Sequence, residues 1–283
     1  ANPFKFGMIG STDSHTSLAT TEEDNYFGKA AFGEPSAKPD RFDEKVTGYL
    51  QKPGGPDITI RHAKTLASGL AAVWATDNSR AALWDALARK EVYATTGTRM
   101  TVRVFAGWDF AMADVQRPDF AKIGYLRGVP MGGDLTNAPK GKAPSFVIRA
   151  LRDVDGANLD RVQIVKGWLD SKGKTHEQVY DVMCSDDRKI KKHRCAKPVG
   201  NTVDVKTATY TNSIGEALML AYWKDPAFDP KQRAFYYVRV LEIPTPRWTT
   251  YDAVFFGVER PKDIEPTHQE RAYTSPIWYT PKG

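Results

Sequence analysis

The second half of the chain is a succession of short strand-like runs, and this pattern constrains the fold more than any other feature of the sequence. Beyond Gly107 the runs occupy residues 146–151, 162–169, 179–183, 235–241, 254–258 and 273–279. Clusters of Gly, Pro, Asn and Asp separate them. Many short strands with frequent turns are typical of a β-sandwich. A crossover helix is predicted at 213–222, between two of these strands.

The first part of the chain shows a different pattern, in which strands and helices alternate. The predicted elements are a strand at 4–10, a strand at 66–74, a helix at 80–90 and a strand at 91–97. Asp77, Asn78 and Ser79 supply helix-capping side chains directly before the helix. The change of pattern near residue 105 predicts an α/β domain at 1–105 and a β-sandwich-like domain at 106–283.

The charge distribution limits the partners that the chain can have. Its 40 basic and 34 acidic residues give a net charge of +6, but the two signs are interleaved along nearly the whole sequence. Nucleic-acid-binding proteins concentrate basic residues on one face, and the basic cluster at 188–194 has no interleaved aromatic residues to stack on bases. No run of about 18 apolar residues occurs that would span a bilayer. We therefore expect neither a nucleic-acid partner nor a membrane.

Two cysteines, Cys184 and Cys195, enclose a short polar loop. Two thiols alone cannot build a structural zinc site, so this spacing favours a local disulfide. Such bridges persist in oxidising compartments, which predicts a periplasmic or secreted protein. A pair of free thiols in a cytosolic protein is the alternative.

Asp13 and His15 lie two residues apart, just after the predicted strand at 4–10. Alternate residues of an extended segment face the same way, so both side chains can point toward one opening. Mn, Fe and Zn accept mixed carboxylate and imidazole ligation, which makes the pair a candidate metal site. A capped turn with a satisfied histidine is the other interpretation of this triplet.

The segment 9–16, Ile-Gly-Ser-Thr-Asp-Ser-His-Thr, resembles the last metal-binding motif of the polymerase and histidinol phosphatase (PHP) superfamily. There a Ser-Asp-x-His segment ends a strand of a distorted β/α barrel, and its Asp and His bind metal. The resemblance extends through 67–75, 83–90, 91–99, 128–135, 161–168 and 274–279, the last three being similar to a large, mostly bacterial family of unknown function within that superfamily. It implies the C-terminal part of a PHP-type barrel followed by the β-sandwich-like domain.

The resemblance also implies that part of the metal site is missing. The superfamily builds a two- or three-metal site from several earlier motifs, including an N-terminal His-x-His, and none of these precedes Asp13. Residue 1 is Ala rather than Met. We therefore expect the C-terminal portion of a longer protein, whose missing N-terminal part would complete a site for two or three Mn, Fe or Zn ions.

These expectations lead to a metal-dependent hydrolase of phosphoesters, or of other esters and carbamates, that acts through a metal-activated water. Asp13 and His15 would hold metal, and Arg99, at the end of a predicted strand, could neutralise an anionic substrate. The partners would be a small ester or phosphoester and the missing N-terminal part. The alternative is a non-catalytic module that recognises carbohydrate or protein through its sandwich and carries a vestigial barrel.

Overall fold

The computed structural model describes residues 3–18, 20–47, 59–67 and 69–281. Within them the α-helices are α1 Asp40–Asp43, α2 Arg80–Ala88, α3 Met112–Gln116, α4 Phe120–Arg127 and α5 Trp248–Phe256. Three 3-10 turns occupy Glu23–Asn25, Ala31–Gly33 and His62–Lys64.

Most of the regular structure is β-strand, as the sequence predicts. The first nine strands are β1 Lys45–Thr47, β2 Thr59–Arg61, β3 Leu70–Val73, β4 Val92–Thr95, β5 Thr101–Gly107, β6 Gly128–Pro130, β7 Asp134–Thr136, β8 Ser145–Leu151 and β9 Leu159–Leu169. The others are β10 Thr175–Cys184, β11 Ile190–Lys191, β12 Arg194–Cys195, β13 Leu218–Lys224, β14 Ala234–Glu242, β15 Thr245–Pro246, β16 Thr267–His268, β17 Arg271–Thr274 and β18 Ile277–Thr280.

The largest sheet has eight strands and draws on both ends of the chain. Its order is β10-β9-β14-β17-β4-β3, with β18 paired to β14 and β7 paired to β18. The β18–β7 pair is parallel, and the other pairs in this sheet are antiparallel. Strands from both sides of residue 105 therefore share one sheet, and the division into domains at 1–105 and 106–283 stays a prediction.

A second, four-stranded sheet has the order β13-β8-β5-β6 and shares one core with the first. Because alternate side chains of a strand face opposite sides, one face of each sheet can be apolar. Val102 and Val104 of the second sheet are buried in the same cluster as Val238 and Val240 of the first. On the outer face of the second sheet, α3 and α4 form a separate small core.

A further packing centre joins the N-terminal region to α5. Trp248, at the first position of α5, is fully buried between Tyr26, Phe42 and His62. The guanidinium of Arg41 lies 4.4 Å from the Trp248 ring centroid and pairs with Asp252, with 2.6 Å between Nε and Oδ2. These contacts fix the start of α5 against the residues that precede β3.

The structure corrects the predicted barrel. A β/α barrel is built from parallel strands, whereas β3 and β4, which α2 connects, pair antiparallel. The sheets among the described residues are open and antiparallel rather than closed. The β-rich character is thus confirmed, but the C-terminal part of a PHP-type barrel is not what these residues form.

Two strand predictions at the ends of the chain are also wrong. The segment 4–10 forms no strand; it lies against β3, where a Cβ on Gly10 would be 2.6 Å from the Leu70 carbonyl oxygen. The segment 254–258 belongs instead to α5 and the turn after it. That helix ends at Gly257, whose left-handed backbone is the usual C-terminal cap.

Of the helix predicted at 213–222, residues 218–222 form part of the strand β13, and the helices α1, α3 and α4 were not anticipated. Met219 and Ala221 are buried while their neighbours are more exposed, which is the period-two pattern of β13 against β8. The helices α3 and α4 fall where the sequence shows few helical signals.

The predicted disulfide is confirmed. Cys184 and Cys195 are bonded across 11 residues, with 6.0 Å between their Cα atoms, and the bridge joins β10 to the small β11–β12 hairpin. No helix in the described part of the chain is long and apolar enough to cross a membrane.

Candidate functional site

A small cleft lined by carboxylates opens at the end of β14. Its volume is about 200 Å³, and we call it the acidic cleft. Its lining includes seven acidic residues: Glu22, Glu23, Asp24, Asp153, Asp155, Glu242 and Glu270. They come from the N-terminal segment, from the loop before β9 and from the ends of β14 and β16. The cleft is therefore assembled from parts of the chain that are far apart in sequence.

Glu23 is held by two backbone amides at the inner side of the acidic cleft. It starts a 3-10 turn and is 7% exposed. Its Oε1 accepts a hydrogen bond from the Ala67 amide and its Oε2 one from the Trp248 amide, each at 2.7 Å. The Trp248 amide belongs to the first turn of α5, where the helix dipole favours a negative charge. Because a carboxylate oxygen has two acceptor positions, each oxygen of Glu23 keeps one for a ligand.

His268 and Glu270 approach Glu23 from the β16–β17 connection. His268 Nε2 lies 3.0 Å from Glu270 Oε1 but makes no hydrogen bond of normal geometry within the described residues. The Thr96 hydroxyl donates to Glu270 Oε2, which fixes that carboxylate. One ligand atom from each of Glu23, His268 and Glu270 lies within 4.8 Å of the other two. This is the spacing at which three side chains can share one cation.

Glu242, the last residue of β14, is fully buried, and its carboxyl is poorly satisfied within the described residues. Its main chain is bound on both sides, because its amide donates to the Glu270 carbonyl and its carbonyl accepts from the Gln269 side chain. Neither of its carboxyl oxygens makes a hydrogen bond of normal geometry among the described residues, although Thr98 and the Ala157 backbone lie close enough to lower its pKa. A buried polar group without a partner costs free energy, and native structures rarely tolerate one unless a ligand, ion or water satisfies it.

The buried acids shift one another's titration. Burial, reinforced by the charge of Glu270, raises the pKa of Glu242 to about 8. Burial also raises the pKa of Glu23, with the charge of His268 opposing and that of Glu270 adding to the shift. For His268, burial lowers the pKa, but the contact with Glu270 and the charges of Glu270 and Glu23 outweigh it, so the pKa is raised. Such shifts are characteristic of binding and catalytic sites.

Asp13 and His15 lie on a neighbouring exposed loop. Asp13 has a left-handed backbone with φ of 51°, so the segment is not extended there and the argument from alternate residues does not apply. The Nδ1 atom of His15 lies 3.2 Å from the Lys29 carbonyl oxygen, which leaves Nε2 as the outward nitrogen. Among the described residues this pair belongs to no group of three His, Cys, Asp or Glu side chains whose ligand atoms all lie within 4.8 Å of one another.

Lys29 connects this loop to the acidic cleft. Its ammonium donates to the carbonyl oxygens of Thr12 and Ala67, both at 2.7 Å, and the Ala67 amide in turn binds Glu23. Burial lowers the pKa of Lys29, while the charges of Asp13 and Glu23 oppose that shift. The predicted Asp-x-His pair and the acidic cleft are thus neighbours joined by one basic side chain.

Arg99 lies at the rim of the acidic cleft rather than within it. Its side chain is 65% exposed, and Nη1 is 3.4 Å from Glu22 Oε1. Its backbone amide donates to Asp153 Oδ2 at 2.6 Å. In this arrangement the guanidinium is directed at a carboxylate of the protein, and its predicted role toward an anionic substrate stays a prediction.

A second, apolar depression lies at the other end of the same strands. Its volume is about 430 Å³, and we call it the aromatic groove. Phe235 and Trp278, a cross-strand pair with ring centroids 5.2 Å apart, form its floor beside Gly167. Seven residue steps along β14 lead from Phe235 to Glu242, which separates the two places by roughly 23 Å at about 3.3 Å per residue.

The residues of the acidic cleft carry a signal that sequence reasoning passed over. His268 and Glu270 have the same two-residue spacing as Asp13 and His15, in a segment between two strands. Glu23 sits in the acidic run Glu22-Glu23-Asp24, and Glu242 ends an apolar strand where a buried carboxylate is unexpected. Their proximity depends on the pairing of β4, β17 and β14, which no local pattern specifies.

Comparison with known proteins gives a family but no activity. The family model described as "Protein of unknown function (DUF3604)" matches residues 1–281. The resemblance to the PHP superfamily is therefore corrected, because the match over nearly the whole chain is to this family and not to that superfamily. No curated protein and no solved structure matches the chain.

Proposed function

The chain belongs to the DUF3604 family, and from its own geometry we propose that it is a metal-dependent hydrolase of phosphoesters or of other esters and carbamates. The observation that carries the proposal is the donor set in the acidic cleft. Ligand atoms of Glu23, His268 and Glu270 lie within 4.8 Å of one another, and the buried carboxyl of Glu242 is close enough to Glu270 for the two charges to interact.

The chemistry of these donors fits a divalent cation. Imidazole nitrogen combined with carboxylate oxygen suits Mn, Fe and Zn, whereas an all-oxygen set would suit Mg or Ca. Glu23 is 7% and Glu270 5% exposed, and burying carboxylates at this depth requires a proton or a positive partner. When bound, such an ion supplies Lewis acidity and activates water at neutral pH.

The protein's own residues would position the ligands and the substrate. Backbone amides hold Glu23 from two directions, and Thr96 orients Glu270, so neither carboxylate needs to rearrange on binding. Glu242, buried at the cleft wall, makes no hydrogen bond of normal geometry among the described residues, and Thr98 and the Ala157 backbone lie close enough to its carboxyl to lower its pKa. This preorganisation is what supports catalysis over simple ion storage.

Asp13 and His15 remain proposed ligands for a further ion. The contact of His15 Nδ1 with the Lys29 carbonyl is the arrangement that usually orients a metal-ligating histidine through its other nitrogen. A cation there would be separated from the acidic cleft by Lys29. The proposal of two or three metal ions thus rests on two neighbouring donor groups.

The test measures metal binding and hydrolysis separately. We expect the wild-type protein, freed of metal with EDTA, to bind Mn²⁺ or Zn²⁺ in calorimetry and to hydrolyse p-nitrophenyl acetate or p-nitrophenyl phosphate only when metal is restored. His268→Ala and Glu270→Gln should weaken binding by tenfold or more, since each removes one of three ligands.

The control is His176→Ala, because His176 lies in the aromatic groove and bonds Asp170. If His268→Ala and His176→Ala bound metal with equal affinity, the proposal that the acidic cleft binds the metal ion would be rejected. Loss of the remaining metal in Asp13→Ala with His15→Ala would support the second donor pair, and an unchanged metal content would reject it.

A second candidate function, a non-catalytic binding module, is favoured by the aromatic groove. Its Phe235 and Trp278 rings are half-buried, and His176 and Glu177 also line the groove. Aromatic rings with nearby polar groups are suited to carbohydrate or to a protein segment. A Trp278→Ala variant that loses binding to an immobilised polysaccharide panel, with metal binding intact, would favour this function.

We also propose that the protein works in the periplasm or outside the cell. The Cys184–Cys195 bridge supports this location, because the cytosol keeps cysteine thiols reduced and disulfides are rare there. Protein isolated without reductant from its native compartment should take up no iodoacetamide until it is reduced. Two alkylated thiols in the untreated protein would contradict the proposed location.

A further inference from the structure

We propose that the aromatic groove binds an acidic saccharide, with a sugar ring stacked on Phe235 and Trp278 and an anionic group of the sugar directed to Arg233. This inference rests on the second candidate function, the binding module, and names its ligand class. It is independent of the metal site, because the groove and the acidic cleft lie at opposite ends of β14.

The floor of the groove belongs to the outer face of the large sheet. Gly167, Phe235 and Trp278 lie directly opposite one another on β9, β14 and β18. Ala234 and Tyr236, the neighbours of Phe235 in β14, are buried in the core between the sheets. Because alternate side chains of a strand face opposite sides, the Phe235 and Trp278 rings face away from that core.

Gly167 allows the Phe235 ring to lie across the sheet. A Cβ atom at Gly167 would be 2.3 Å from the Cζ atom of Phe235, so the ring fills the space above this glycine. The half-buried rings of Phe235 and Trp278 thus form a shallow platform that leaves part of each ring to a ligand. Aromatic rings offer a large apolar contact area at a surface, which suits the C–H face of a sugar ring.

The lining of the groove carries one cation without a partner in the described part of the chain. Arg233 lies two residues before Phe235, and its carbonyl accepts from the Leu169 amide at 3.0 Å, so it continues the strand ladder and shares the face of Phe235. Its side chain is exposed. The other cation, Lys5, pairs with Asp134. A guanidinium binds a carboxylate or sulfate through two parallel N–H donors.

Three lysines in the turns beside the groove add positive charge. Lys172 and Lys174 lie in the turn that joins β9 to β10, and Lys231 lies shortly before β14. All three side chains are exposed and make no hydrogen bond or ion pair with the described residues. Since exposed charges act over about 8 Å at physiological salt, these lysines attract anions to this end of the sheet.

The acidic groups of the same region are fewer, and most are engaged. Asp170 Oδ2 lies 2.8 Å from His176 Nε2, and Asp229 Oδ1 accepts from the Lys231 amide at 2.9 Å. Glu177 is the exposed carboxylate of the groove lining. It can accept hydrogen bonds from sugar hydroxyls. The charge around the groove therefore remains positive and favours an anionic ligand.

The polar rim favours a saccharide over an apolar protein segment. Thr175, Glu177, Arg233 and Thr280 line the groove beside the rings. Sugar hydroxyls can pair with each of these side chains, whereas an apolar segment would cover them without a partner. The volume of about 430 Å³ lies within the range of about 300–1,000 Å³ for small-ligand sites. A short saccharide segment therefore fits the groove.

The test compares saccharides that differ in charge. Trigalacturonate and its methyl ester share the same sugar rings, and a sulfated galactose oligosaccharide tests whether sulfate can replace carboxylate. Hexaglutamate supplies negative charge without a sugar ring. Calorimetry on the whole chain measures each affinity at low and at physiological salt. We expect trigalacturonate to bind about fivefold more tightly than its methyl ester, the effect of one exposed charge pair, with a smaller preference at higher salt.

Variants locate the effect. Arg233→Gln should reduce the preference for acid over ester about fivefold. Trp278→Ala should weaken the binding of both by about tenfold, since it removes half of the platform. Gly167→Ala displaces the Phe235 ring but keeps both aromatic side chains, so it gives the same test if Trp278→Ala does not fold. Arg80→Gln, an exposed arginine on α2 at the other side of the sheet, is the matched control and should change neither affinity.

The outcomes separate this inference from the functions on which it rests. Equal affinity for trigalacturonate and its methyl ester would overturn the acidic class and keep a saccharide-binding module. Hexaglutamate binding as tight as that of trigalacturonate, or binding that Trp278→Ala and Gly167→Ala leave unchanged, would overturn the stacked sugar. If no saccharide bound, the inference and the carbohydrate form of the second candidate function would both fail, and metal binding by the acidic cleft would be unaffected.

Discussion

Two groups of buried charges in this molecule differ in how they are satisfied. Between the sheets, Lys166 Nζ lies 2.7 Å from Asp225 Oδ2 and donates to the Ala227 carbonyl at 2.8 Å. The Tyr236 hydroxyl donates to the same Asp225 oxygen at 2.7 Å. In the acidic cleft, Glu242 is equally buried, but its carboxyl oxygens make no hydrogen bond of normal geometry among the described residues, and only Thr98 and the Ala157 backbone are recorded as weak contacts that lower its pKa.

The difference separates structural from functional burial of charge. A buried ion pair with all its hydrogen bonds made is complete, so nothing more is needed to satisfy it. A buried carboxyl without partners destabilises the protein unless a ligand satisfies it. Depth alone therefore does not identify a site.

The largest expected effect comes from breaking the satisfied pair. Lys166→Met should destabilise the protein by about 3–5 kcal/mol, because it leaves the Asp225 carboxylate buried with one partner fewer. Urea unfolding would measure the change. Adding Asp225→Leu should recover much of the loss, while Lys231→Met on the surface should change little. If the single and double variants were equally unstable, packing rather than charge would explain the result.

A change in stability of the opposite sign is expected when Glu242 loses its charge. Glu242→Gln should stabilise the metal-free protein at pH 8 by about 1–3 kcal/mol, because it removes the charge that burial disfavours. Unfolding in EDTA measures this directly. A destabilised variant would mean that Glu242 has a stabilising partner in solution and would weaken the contrast.

The same carboxyl predicts a pH dependence. Its pKa is about 8 in the folded protein and ordinarily 4.5, so folding favours the protonated form. Its stabilising contribution is complete below pH 4.5, falls as the pH rises, and is lost above the folded pKa of about 8. Between these limits the stability of wild type in EDTA should fall relative to that of Glu242→Gln. Parallel profiles for the two proteins would refute the assignment.

The smallest effect is expected when one hydrogen bond to Asp225 is removed and its ion pair with Lys166 is kept. Tyr236→Phe removes one hydrogen bond to Asp225 but leaves the ion pair with Lys166, so the loss should be about 1 kcal/mol. Thermal unfolding beside Tyr222→Phe would check it. A loss as large as that of Lys166→Met would show that Tyr236 contributes far more than one bond.

The sequence predicts the strands better than their arrangement. The strands β8, β9 and β14 were identifiable because their sequences are apolar in alternation or in a continuous run, which matches the faces they bury. The helix α5 was missed because its Val254 and Phe255 have strand-like character, although both are exposed on a helix that Trp248 anchors. Tertiary contacts at one end of a segment can override the preference of its other residues.

The acidic cleft could not be predicted from local sequence patterns, because tertiary contacts bring its residues together. Asp13 and His15 attract notice because they are adjacent, whereas Glu23 and Glu270 come together across most of the chain. Their approach requires Glu23 to bind the start of α5 and Glu270 to follow β16. A disulfide between cysteines eleven residues apart is easier to predict from sequence, because closing a short loop is enough to bring the two residues together.

The placement of β17 between β14 and β4 has a practical consequence for anyone who dissects the protein. A fragment that starts after residue 105 would retain β17 but lack β4, and would therefore present a bare hydrogen-bonding edge to other molecules. Such a fragment should tend to aggregate. Removing the last dozen residues would leave β4 with the unpaired edge instead, since β3 and β4 join the large sheet through β17.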